Sequence, residues 1–192
     1  VYVVGQTHGS YPVTPGKYVN PGSSQFIHKF SPDLSTSIWS TRIGNGNGTE
    51  DISPSAFLVS NCGQIYFSGW GGSVNSNMLA AQSTTIGLPV TSDAYQSTTD
   101  GSDFYLMVLD PEASGLAYAT FFGGATSMEH VDGGTSRFDK DGNVYQAVCA
   151  GQCIHVLQVA DTPAGVARLE RGVELGIRRC GVRAALAERA VE

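Results

Sequence analysis

The sequence predicts an all-β fold built from recurring four-stranded antiparallel units, and three observations carry that prediction. Only 15% of its 192 residues are charged, well under the quarter usual for globular domains, while 24 are glycine and 41% are hydrophobic. Short runs alternate aromatic or β-branched residues with polar ones, and turn residues separate them. Finally, the chain repeats itself. A shift of 79 positions lays FSPDLSTSIWSTRIGN, from Phe30, on LDPEASGLAYATFFGG, from Leu109. It matches Pro32 to Pro111, Trp39 to Tyr118, Thr41 to Thr120 and Gly44 to Gly123. The same shift carries Ser55–Gly69 onto Gly134–Val148, with Gly63 on Gly142 and Tyr66 on Tyr145. Upstream, YPVTPGKY (Tyr11–Tyr18) matches LPVTSDAY (Leu88–Tyr95) at a shift of 77.

In the second copy the strands read FYLMVLD, GLAYATFF, GTSRFD and NVYQAV. Pro, Asp, Gly and Asn stand between them, where a turn needs a preset or positive φ. A four-strand unit that recurs is the signature of a propeller blade; a single antiparallel sandwich is the competing arrangement. Two units cannot close a ring, so residues 1–151 read as about two blades of a larger β-propeller. QTHGSYPVTPGKY and the longer GWGGSVNSNMLAAQSTTIGLPVTSDAY read as surface excursions between blades. The chain opens inside a strand, VYVVGQT, with no signal-peptide pattern, and so reads as a fragment.

The character changes after Gly151. All 18 aromatic residues precede it, whereas six of the eight arginines follow it. Residues 152–192 hold Ala, Leu, Glu and Arg in helical proportion, with Thr162 as N-cap and Pro163 at the first helical position. The expectation is a tail that is helical or disordered, weakened as a helix by Gly172, Gly176 and Gly181. It reads as a helical adaptor, as a frame-shifted continuation or, more weakly because Glu170, Glu174, Glu188 and Glu192 offset the arginines, as an amphipathic membrane-surface helix. The abrupt stop of the repeat favours the second.

Composition also excludes functions. A net charge of −6 offers no basic field for nucleic acid, and no apolar run is long enough to span a membrane. Cys62, Cys149, Cys153 and Cys180 lack zinc or redox spacing, and no nucleophile elbow, HExxH or phosphate loop is present. Asp139, Asp141 and Asn143 resemble the opening of a calcium loop, but the twelfth position is Ala150 and not glutamate. Their counterparts in the first copy are Ser60, Cys62 and Gln64, so what recurs is only the glycine (Gly63, Gly142) of a turn. Glu129, His130 and Asp132 could be drawn as a base with acidic partners. They read better as a polar blade boundary that anchors a loop through backbone N–H groups. Trp39, Tyr66, Tyr118, Phe121 and Phe122 are expected in the core. Trp70, in SGWGG, is the one aromatic placed to stack on a sugar or peptide, although core packing is the commoner fate.

GTEDISPSAFLVSNCGQIYFSGWGG and EHVDGGTSRFDKDGNVYQAVCAG resemble the propeller repeats of large surface proteins of gliding bacteria, which carry a gliding-motility-associated C-terminal domain. PVTPGKY followed by SQFIHKFSP is similar to the repeat called SBBP. The resemblance covers residues 1 to about 151. It implies export by the type IX secretion route, a cell-surface or extracellular location, and a non-catalytic binding or architectural role in motility or adhesion. The partners it implies are neighbouring blades, polysaccharide or surface glycoprotein, with no cofactor and no established catalytic residues. The competing reading is a fragment of a propeller glycosidase or lyase whose acids lie in other blades. Two departures stand out. Cys149 leads through Gln152 and Cys153 into the arginine-rich tail where another excursion is expected, and no sorting domain is present.

Overall fold

The computed structural model of the chain describes residues 1–72, 83–126 and 128–131, and the backbone of 136–138, 144–150, 153–161, 172–176 and 182–187. The fold is all-β. The first sheet holds β1 (Tyr2–Gln6), β2 (Gln25–Phe30) and β3 (Ser37–Ile43) in that order. The second is a meander of β4 (Ser53–Val59), β5 (Ile65–Trp70), β6 (Phe104–Leu109) and β7 (Leu116–Phe122). A third carries β8 (Glu129–His130), β9 (Ser136–Phe138), β10 (Val144–Ala150), β11 (Cys153–Asp161), β12 (Gly172–Gly176) and β13 (Val182–Ala187). Its order is β12-β13-β11-β10-β8, with β9 also on β10. Every pairing is antiparallel.

The repeat is real at the level of register. β2 pairs β3 with an irregularity between Lys29 and Phe30, and β6 pairs β7 with one between Val108 and Leu109, the same place 79 residues on. β1 copies β5 as well. Tyr2 stands opposite Lys29 as Tyr66 stands opposite Val108, and Gly5 opposite Phe26 as Gly69 opposite Tyr105. A bulge adds one residue to one strand and bends it, so its recurrence marks a shared backbone as well as a shared composition.

Three expectations are corrected. The unit drawn as FYLMVLD, GLAYATFF, GTSRFD and NVYQAV is divided, its first two strands falling in β6 and β7 and its last two in β9 and β10 of the next sheet. A repeat has the same period wherever it is cut, so the sequence sets the period and leaves the phase open. The excursions, expected between sheets, lie inside them, joining β1 to β2 and β5 to β6. The tail, expected to be helical or disordered, contributes strands β11, β12 and β13. Gly172 and Gly176 are the end residues of β12, and glycine is disfavoured in a helix interior by about 1 kcal/mol.

The PVT motif now has a physical reason. Thr14 donates its N–H to Ser40 O (2.9 Å) while its hydroxyl accepts Ser40 N–H (3.0 Å). Thr91 repeats both bonds with Ala119, at 3.2 and 3.1 Å. One threonine thus satisfies an outward donor and acceptor on the last strand of each sheet, which would otherwise be an open edge.

The first two sheets share a core. Ile27, Trp39 and Ile43 from the first pack with Ile65, Phe67, Tyr105, Met107, Leu109, Ala119 and Phe121 from the second. The opposite face of the second sheet buries Tyr66, Trp70, Phe104, Leu106, Val108, Tyr118 and Phe122, with Val131 against them. All six residues of β5 and all six of β6 are therefore buried, a pattern available only to a strand covered on both faces. The turn Pro111–Ala113 at the β6–β7 hairpin reaches across to the first sheet. Glu112 accepts a short hydrogen bond from Lys29 Nζ and one of 2.7 Å from Trp39 Nε1, and Ala113 O accepts Tyr18 N–H at 2.7 Å.

Candidate functional site

The corner where one sheet passes to the next combines acids, glycine and backbone in both copies. β3 is followed by Gly44, whose φ of +140° only glycine holds comfortably, and a Cβ there would land on the Asp51 carboxylate. Asp51 is fully buried and its Oδ2 accepts Asn45 N–H at 2.9 Å. In the second copy Glu129, 1% exposed, does the same for Gly124 N–H at 2.9 Å. The ungapped alignment puts His130 in the place of Asp51. The structure gives the role to Glu129, because the second corner is one residue shorter. Glu129 anchors its loop through a backbone N–H, as expected, and Asp132 lies outside the described residues. His130 lies edge-on to Trp70 at 6.2 Å.

The second corner carries one acid more. Asp103 replaces Ser24 at the start of the strand, is fully buried, and has neither carboxylate oxygen in hydrogen-bonding geometry among the described residues. Burial pushes its carboxyl up; Thr99 and Gln96 lie near enough to oppose the rise without cancelling it. Burial likewise holds Asp51 at about 6, with the Asn45 N–H opposing. Beside this corner an open cleft of about 350 Å³ is lined by Gln96, Thr98, Thr99, Asp100, Gly123, Gly124 and Ala125. The excursion places Gln96–Asp100 there: Gln96 Oε1 accepts Gly123 N–H at 3.0 Å, and Gln96 O accepts Phe121 N–H at 3.1 Å. Among the described residues, hydroxyl, amide and carboxylate groups line this cleft and no basic side chain does. It can hydrogen-bond a hydroxyl-rich ligand.

The sites expected from sequence fare differently. Trp70 is 5% exposed and packed in the core of the second sheet, so it presents no face to a sugar. Its position beside glycines looked exposed, but those glycines let β4 come close. A Cβ at Gly69 would strike the Ser53 carbonyl. The calcium-like residues Asp139, Asp141 and Asn143 lie outside the described residues. Their counterpart turn is described, and Gly63 holds φ +82° there while Gly63 N–H donates to Ser60 O at 2.8 Å. Among the described residues, no three His, Cys, Asp or Glu side chains converge on a metal position. Trp39, Tyr66, Tyr118, Phe121 and Phe122 are all buried, as expected.

One cluster escaped the sequence reading. On the outer face of the first sheet His28 Nδ1 lies 2.7 Å from the Tyr11 hydroxyl, and Nε2 lies 2.7 Å from Ser37 Oγ. Tyr11 stacks on Phe26 and His28 on Phe30, each at 3.8 Å. Desolvation lowers the His28 pKa, so the ring is held neutral. The two hydroxyls, one on each ring nitrogen, fix the orientation of the His28 ring. Its sequence signal was weak because Met107 stands at the corresponding place in the second copy. No protein-family model and no curated protein matches the chain. No helix among the described residues is long and apolar enough to cross a membrane.

Proposed function

We propose that the chain is a run of blades from a β-propeller that serves as a non-catalytic binding or architectural module. The observation that carries this reading is the burial of β5 and β6 on both faces. Stacked like sheets produce it, and a two-layer sandwich leaves one face of each sheet wet. The resemblance to SBBP repeats adds the setting, a surface or secreted protein of the kind exported by the type IX route and linked to gliding or adhesion. Recognition falls to the excursions, which vary in length while the strand pairs they join keep the same register. The cleft between Gln96–Asp100 and Gly123–Ala125 is a surface suited to a polysaccharide or glycoprotein glycan.

The test is binding of the chain to immobilised polysaccharides and surface glycoproteins, with product analysis of each. The reading expects saturable binding to at least one neutral or weakly acidic glycan and no shortening of it. Asp100→Ala is expected to weaken it about tenfold, the loss of one charge-assisted hydrogen bond. Binding to none of the panel, or chain cleavage, contradicts it.

A further inference from the structure

We infer that the outer edge of β1 is a strand-acceptor site, and that its occupant is the leading strand of another repeat of this type, a strand with the pattern of Ser53–Val59. The inference rests on the internal repeat and not on the glycan reading above. β1 matches β5 position for position: Val1 to Ile65, Tyr2 to Tyr66, Val3 to Phe67, Gly5 to Gly69. β5 is flanked by β6 on one side and β4 on the other. Among the described residues β1 is paired only with β2.

The hydrogen-bond alternation says which groups face that edge. Val1 exchanges bonds with Phe30 (2.9 and 2.8 Å), and Thr7 N–H donates to Ser24 O at 2.8 Å. In an antiparallel strand alternate residues bond to the same neighbour, so Val1, Val3, Gly5 and Thr7 are committed to β2. Tyr2, Val4 and Gln6 therefore turn their N–H and C=O groups away from it. Their counterparts are Tyr66, Ser68 and Trp70, which stand opposite Leu58, Ala56 and Ser53. The register of an added strand follows: Leu58 opposite Tyr2, Ala56 opposite Val4, Ser53 opposite Gln6. Pro54 fits such a strand, because it sits at a shift in the β4 register where one ladder bond is already absent.

The side chains agree with the edge. Val1 is 50% exposed and Val3 38%, where Ile65 and Phe67 are 0% and 2%. An arriving strand with Phe57 and Val59 on this side would cover both valines. The recognition is β-augmentation: main-chain bonds supply affinity and the alternate apolar positions fix register.

The experiment is hydrogen exchange by NMR on the whole chain, with and without a peptide of residues 51–61. Saturable binding should slow exchange at Tyr2, Val4 and Gln6 by tenfold or more, and leave Val3 and Gly5 as they were. N-methylation of the peptide at Leu58 should abolish the effect, and at Phe57 should spare it. In a chain carrying Val4→Pro the effect should also disappear, while circular dichroism and tryptophan emission stay native. The inference is overturned if Val4 and Gln6 are unaffected, if a scrambled peptide protects them equally, or if methylation at Leu58 makes no difference. Glycan binding measured on the same sample is independent of these outcomes, so either reading can fail alone.

Discussion

The first and second sheets are the same backbone in two surroundings. β2 and β6 share register, bulge and partner, yet β6 is buried at all six positions whereas Phe26, Lys29 and Phe30 of β2 are only partly covered. The turn Pro111–Ala113 is clamped by Lys29, Trp39 and Tyr18, while its copy leaves Leu34 59% exposed against 0% for Ala113. What differs is that the second sheet is buried on both faces, whereas the first shares a core on one face and leaves Phe26 and Phe30 of the other partly covered. The stability of a strand here belongs to the stack, as in other repeat architectures, where each unit is held mainly by its neighbours.

Paired substitutions at equivalent positions sharpen the comparison. Phe67→Ala is expected to cost about 3–5 kcal/mol, the range for a large buried aromatic, and Val3→Ala less than about 1 kcal/mol. Chemical denaturation of the two variants checks this, and similar costs would break the account. The pH effect comes next. Asp51 titrates at about 6 in the folded chain against 3.8 when exposed, because it is buried. The folded state then holds more protons than the unfolded state between those values. Stability therefore falls as pH rises from about 4 to about 6, and this loss persists above pH 6. The span is on the order of 2–3 kcal/mol. Asp51→Asn should remove that slope, leaving the smaller slope from Asp103 and the opposite one from His28, whose lowered pKa costs stability as pH falls below 6.5. Midpoints of urea unfolding between pH 4 and 7 give the difference directly.

Two smaller effects follow. Gly63→Ala forces a side chain into positive φ and should cost roughly 1–2 kcal/mol by thermal melting. Glu112→Gln weakens the clamp between the sheets by about 1 kcal/mol, a modest figure because the carboxylate is 47% exposed. Asp33→Asn, at the matching place in the first sheet, should leave the melting temperature unchanged. Asp33 is solvent-exposed, and the carboxyl is held low, at about 2, by the Ser31 and Ser35 hydroxyls of its own turn.

The period of the repeat, the strands of the first two sheets and the core aromatics were legible because alternation and turn glycines are local signals. The phase of the sheets was not, since hairpins on either side of a corner look alike in sequence. The role of PVT was hidden because it depends on Thr14 and Thr91 meeting strands that lie 26 and 28 residues away. The cleft was missed for the same reason, its two walls being brought together only by the edge pairing of the excursion. Trp70 misled because glycine neighbours signal close backbone approach as readily as exposure, and here they signal approach.

The direct test of the central claim is native-state hydrogen exchange compared between β2 and β6. If face-to-face stacking sets local stability, the inward amides of β6 exchange slowest in the chain, and those of β2 exchange at least tenfold faster despite an identical hydrogen-bond register. Equal protection in the two strands, or greater protection in β2, would show that each sheet is held by its own pairing and would contradict the account.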